Sequence, residues 1–140
     1  MMRKVIAVDF DGTLAYWDGV WKGDPTLFGD PILTMVDRVR QWLKEGHEIW
    51  VFTARLDSDR VGPEVLEEVQ AAIWRWTLEH IGTGLKSTAM KKVEFCEIYD
   101  DRAFRVESNT GEILYGQRED DERGAFVARL GAISAGLSGR

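Results

Sequence analysis

Cysteine is nearly absent from this chain and proline is scarce, with one and three respectively in 140 residues. The single thiol, Cys96, excludes an internal disulfide and is compatible with a reducing compartment. Only two histidines occur, His47 and His80, and neither stands at metal-ligand spacing to a partner, so both read as structural. No block of five or six lysines or arginines is present and the net charge is -6, so the footprint of a general nucleic-acid binder is missing. No apolar run approaches the length of a membrane span. The run Val5 to Val8, after Met-Met-Arg-Lys, is too short for the core of a signal peptide. These absences together lead to the expectation of a soluble, cytoplasmic protein with no membrane partner.

What is present is ordinary for a globular chain: 44% hydrophobic and 30% charged residues. The length suits one domain over 1–140 and no second core of useful size. Six tryptophans are many for this length. Trp42, Trp50, Trp74 and Trp76 read as core or helix-packing residues, and Cys96 as a plain core residue. The aromatics Tyr16, Trp17, Trp21 and Phe28 fall in a Gly-rich stretch without periodicity. They read either as a small satellite cluster or as a substrate-facing surface.

Val5 to Val8 is continuously apolar, as in a strand buried on both faces of a parallel sheet. Residues 14–30 carry no period and read as a short flap. Asp30-Pro31 reads as a helix start, with Asp30 as cap, and Ile32, Met35, Val36, Val39, Trp42 and Leu43 follow at helical spacing until Gly46. Glu48 to Thr53 reads as a second strand. Pro63 opens a helix that Gly82 closes. Leu85 to Thr88 and Phe95 to Tyr99 read as further strands, Phe104 to Val106 and Glu112 to Tyr115 as a small hairpin around Asn109-Thr110-Gly111, and 119–137 as a final amphipathic helix. Strands alternating with helices predict an α/β fold: an open, Rossmann-like, mainly parallel sheet with helices on both faces and no cap domain.

In such sheets, ligands sit beyond the carboxyl ends of the strands. Asp9, Thr53 and Asp100 each end a predicted strand, so the fold brings them together. Asp11 lies two residues after Asp9, and Asp101 adjoins Asp100. Carboxylates gathered in this way repel unless a cation or a shared proton intervenes. The all-oxygen donor set of Asp9, Asp11, Asp100 and Asp101 favours Mg²⁺ over zinc. Gly12 allows a sharp turn. Thr13 and Thr53 offer hydroxyls to phosphate oxygens, and Lys91 or Lys92 offers a positive charge. An EF-hand is excluded: counting Asp9 as position one, position six is Leu14 and position twelve Val20.

Asp-Phe-Asp-Gly-Thr-Leu after an apolar strand, Thr53 at the end of the next, a later lysine and then Asp100-Asp101 resemble the haloacid dehalogenase-like (HAD) superfamily. The likeness covers about Val5 to Gly111. Gly29-Asp30-Pro31, Thr53-Ala54-Arg55, Asp100-Asp101-Arg102-Ala103 and Asn109-Thr110-Gly111 further resemble a capless subgroup common in bacteriophages, whose compartment would be the host cytoplasm. The resemblance implies a phosphatase in which Asp9 attacks phosphorus and Asp11 serves as general acid and base. It also implies that Asp9, the Asp11 backbone carbonyl, Asp100 and Asp101 hold Mg²⁺. Thr53 and Lys91 would hold the phosphoryl group, with Lys92 as the other candidate lysine. Gly12, Thr13 and Arg55 are further candidate substrate-binding residues, but Arg55 and Arg102 read first as structural ion-pair or loop-fixing residues near the site.

The expected substrate is a phosphorylated small metabolite or a nucleotide. The alternatives are a nucleic-acid end, as for a polynucleotide phosphatase, and a non-catalytic phosphate-binding module.

Overall fold

The structure, a computed structural model, describes residues 2–114. The chain divides into two compact units, Met1–Asp101 and Arg102–Arg140. The first holds four strands and two helices: β1 (Val5–Val8), α1 (Leu33–Lys44), β2 (Glu48–Phe52), α2 (Pro63–Ile81), β3 (Lys86–Thr88) and β4 (Glu97–Tyr99). The sheet order is β3-β2-β1-β4 and every pairing is parallel. The architecture is therefore α/β with an open, Rossmann-like sheet.

The alternation along the strands sorts their side chains by face. Ile6, Val8, Ile49 and Val51 point to one face and join Val36, Val39, Val69, Ile73 and Trp76 in one core. The helices α1 and α2 pack on each other over this face, and Arg40 ties them by donating to the carbonyls of His80 and Ile81 at 2.6 and 3.1 Å. Both described helices thus share one face. Two right-handed crossovers that step the same way, from β1 to β2 and from β2 to β3, require this. The helix expected over 119–137 lies outside the described residues. On the opposite face Trp50 and Phe52 pack against Phe95, with ring centroids 6.3 and 6.1 Å apart.

Several expected boundaries hold, and the departures have local causes. Pro63 is the first residue of α2, and Gly82 ends it. Helix α1 starts at Leu33 rather than at Pro31, and Asp30 is not its cap; the N-cap is Ile32, which makes no side-chain cap bond. The reason is that residues 30–32 are the returning side of the flap. Tyr16 N–H donates to the Asp30 carbonyl at 2.8 Å, and Ile32 N–H to the Leu14 carbonyl at 2.7 Å. Strand β4 is shorter than expected, and Cys96, expected in the core, is exposed. His47 is buried and structural, with Nδ1 accepting from the Lys4 N–H at 3.0 Å.

The space between β1 and α1 holds only the flap, and that between β2 and β3 only a 3-10 turn and α2, so no cap domain is inserted at either point. Within the second unit, the Glu107 N–H donates to the Glu112 carbonyl and the Leu114 N–H to the Arg105 carbonyl. Asn109 takes a positive φ in the turn between them. No helix among the described residues is long and apolar enough to cross a membrane.

Candidate active site

The backbone ladder runs past the end of β1. Asp9 N–H donates to the Tyr99 carbonyl at 2.8 Å, so Asp9 is held level with the end of β4. Asp100 and Asp101 follow β4 directly. One carboxylate oxygen from each of Asp9, Asp100 and Asp101 lies within 4.8 Å of the others. Asp9 and Asp100 are half-buried and Asp101 is exposed.

Burial first, then a hydrogen bond with Asp101 and the charge of Asp100, push the Asp9 carboxyl up to about 8. A nucleophilic or metal-ligating carboxylate must be ionised, and a cation bound at the three acids would favour that form of Asp9. The all-oxygen donor set fits a hard divalent ion such as Mg²⁺. Asp9, Asp100 and Asp101 are the side chains that could hold it.

The turn after β1 shapes the rest. Gly12 has φ +86°, and a Cβ there would sit 2.6 Å from Asp101 Oδ2. Glycine is thus needed both for the left-handed backbone and to admit Asp101 to the cluster. Thr13 Oγ1 accepts from the Asp101 N–H at 3.2 Å and lies 3.5 Å from Asp9 Oδ2 and 3.4 Å from Asp101 Oδ1. Its hydroxyl therefore links the two acid-bearing segments instead of pointing at open solvent.

Thr53 continues β2, its N–H donating to the Thr88 carbonyl at 2.9 Å. The side chain is buried, and Oγ1 accepts from the Arg55 N–H at 3.2 Å, which starts the 3-10 turn Ala54–Leu56. A hydroxyl that accepts one hydrogen bond can donate another.

Asp11 does not join the acid cluster through its side chain. Its two carboxylate oxygens accept from Arg55 Nε and Nη2 at 2.7 and 2.8 Å, a bidentate ion pair. Arg55 also donates from Nη1 to the Pro25 carbonyl at 2.8 Å. Arg55 is thus the ion-pair residue near the site that its place in the sequence suggested, with Asp11 as a partner that the sequence did not indicate. Arginine and aspartate 44 positions apart carry no local signal of it.

The lysines part company. Lys92 lies with Nζ 5.0 Å from the centre of the Trp50 ring, on the sheet face away from the helices. Lys91 is exposed in the segment between β3 and β4. Of the flap aromatics, Phe28 packs edge-on against the core residue Phe10, with centroids 4.8 Å apart, while Tyr16 and Trp21 are exposed.

No protein-family model matches the chain. No curated protein matches it either. A solved structure described as that of a conserved protein coded by a locus from Bacteroides thetaiotaomicron is similar to it. That likeness covers 73% of this chain and 78% of the other, at 21% identity and a TM-score of 0.49. Likeness of that size assigns neither a family nor a chemistry, so the site has to be read from its own geometry.

Proposed function

We propose that the protein is a Mg²⁺-dependent phosphomonoester hydrolase of the HAD type, working through an aspartyl-phosphate on Asp9. The observation that carries this reading is the convergence of Asp9, Asp100 and Asp101 within 4.8 Å at the carboxyl edge of a parallel sheet. Thr53 ends the strand next to β1, and Asp11 stands two residues on from Asp9. Bound Mg²⁺ would supply the counter-charge that lets an anionic nucleophile and an anionic phosphate approach each other.

The chain's own residues account for the remaining steps. An Asp9 oxygen forms the bond to phosphorus while the ester oxygen leaves, and Asp11 gives that oxygen its proton. Water then attacks the aspartyl-phosphate, with Asp11 taking up a proton and Asp9 released as carboxylate. The Thr53 hydroxyl hydrogen and the Lys91 ammonium steady the phosphoryl oxygens during transfer. Lys91 is preferred to Lys92 because the Lys92 ammonium is engaged over Trp50.

The open edge and the exposed Tyr16 and Trp21 on the flap are compatible with a small metabolite or nucleotide. Base stacking on those rings would also suit a nucleic-acid end. The deciding experiment is phosphate release from p-nitrophenyl phosphate with Mg²⁺, with EDTA, and with Asp9→Asn. We expect release with Mg²⁺ alone and background levels in the other two. Turnover that survives Asp9→Asn would remove the mechanism, and its complete absence in the native protein would favour a non-catalytic module. A panel of phosphorylated metabolites, mononucleotides and end-phosphorylated oligonucleotides then separates the substrate classes.

A further inference from the structure

Arg55 has no part in the reaction just outlined, yet it is among the most thoroughly engaged side chains of the first unit. It is 5% exposed. Nε and Nη2 grip both oxygens of Asp11, and Nη1 holds the Pro25 carbonyl in the flap. The flat guanidinium also lies 4.8 Å from the Phe28 ring centre and 5.6 Å from that of Trp21. The turn after β1, the flap that follows it and the turn after β2, some 30 to 44 residues away, therefore meet on one cation. By contrast, the hydrogen bonds of Asp18 and Asp24 stay inside the flap, to Val20, Lys22 and Thr26.

The geometry points to Arg55 as a positioning residue that latches the flap and, with the same guanidinium, sets the Asp11 carboxylate. A lone aspartate can rotate about two side-chain bonds. A bidentate pair fixes the plane of the carboxyl group and leaves one lone pair open on each oxygen, and the proton passed to the leaving group has to be carried on one of these. The stacked rings and the Pro25 carbonyl fix the guanidinium in turn. Asp11 is then correctly placed only when the flap is down, which couples closure over the substrate to the readiness of the proton donor. This inference rests on the hydrolase reading for the role of Asp11, but the latch itself is independent of turnover.

The test uses the full chain with Arg55→Met and Arg55→Lys, each checked for a cooperative thermal melt. Trypsin cleavage after Lys22, in the flap, is followed by mass spectrometry. Cleavage in Arg55→Met should be faster by on the order of tenfold, because protease access follows local opening. Hydrolysis is compared on an alkyl phosphate, whose leaving oxygen needs a proton, and on p-nitrophenyl phosphate, whose leaving group does not. Arg55→Met should lower kcat on the alkyl ester by about 100-fold, the usual scale of a misplaced general acid, with a much smaller loss on the aryl ester and little change in KM. Arg55→Lys should recover only part of the loss, since an ammonium cannot form the bidentate pair.

Equal slowing of both esters, or unchanged cleavage after Lys22, overturns the proposal. A native protein that hydrolyses neither ester with Mg²⁺ removes the hydrolase reading instead, and cleavage after Lys22 still decides the latch. Should Arg55→Met fail to fold, Asp11→Asn takes its place in the proteolysis arm. Faster cleavage there supports the latch, and unchanged cleavage overturns it.

Discussion

Asp9 is partly buried and stands beside two like charges, and its titration reflects the burial first and then its acid neighbours. Its carboxyl is pushed up to about 8 in the fold, from the ordinary value of 3.8 that it regains on unfolding. Between those values the native state holds a proton that the unfolded chain has lost. The contribution of Asp9 to stability is therefore full below the unfolded value and is lost as pH rises through the native one. For EDTA-treated protein, we expect Tm to fall more between pH 5 and 8 in the wild type than in Asp9→Asn. Added Mg²⁺ should raise Tm most at the alkaline end, where it meets an ionised Asp9. Thermal melts across pH with and without Mg²⁺ check both, and a Mg²⁺ shift that is the same at every pH would contradict this account. At this scale the gathering of Asp9, Asp100 and Asp101 was legible from their places at the ends of predicted strands, whereas the Asp11 side chain, expected with them, stands apart. The commitment of Arg55 to Asp11 was not legible, because a 44-residue separation becomes a 2.7 Å contact only once the strands are in register.

Among the elements, the flap and the start of α1 compete for the same backbone groups. Pro31 and the acidic Asp30 look like a helix start by composition. The Asp30 carbonyl and the Ile32 N–H are instead taken by the flap ladder with Tyr16 and Leu14, so the helix begins only at Leu33. Trp76 Nε1 donates to the Gly29 carbonyl at 3.2 Å and helps to hold the base of the flap. A Cβ at Gly29 would meet the Tyr16 carbonyl oxygen, so a glycine there lets the two sides of the flap approach closely. Since the Asp30 side chain caps nothing, Asp30→Ala should change unfolding free energy by no more than about 0.5 kcal/mol. Loss of a genuine N-cap would cost about 0.5–2 kcal/mol. Urea denaturation distinguishes these outcomes. Strand β1, strand β2 and helix α2 were read almost to the residue because their signals are local: continuous apolar runs, Pro63 and Gly82.

At the scale of the molecule, the sheet is the platform and the core beneath it sets the strand ends in place. Ile73 on α2 is fully buried in the cluster with Val8, Val51 and Phe10. Ile73→Ala should cost about 2–5 kcal/mol, through lost burial and the cavity left behind, and urea or thermal unfolding measures it. If the strand ends depend on this support, Mg²⁺ affinity should fall with it, even though Ile73 makes no contact with the acids.

From its own order of residues, the chain already determined the parallel α/β fold and the four acids at strand ends. Periodicity and end signals act over a few residues and survive without tertiary contacts. Tertiary structure alone decided that both described helices share a face and that Lys92 lies over Trp50. It also decided that the Asp11 side chain faces Arg55 and not the acid cluster. Each of these depends on which face a side chain takes and which distant segment lies opposite, and strand order and register settle both.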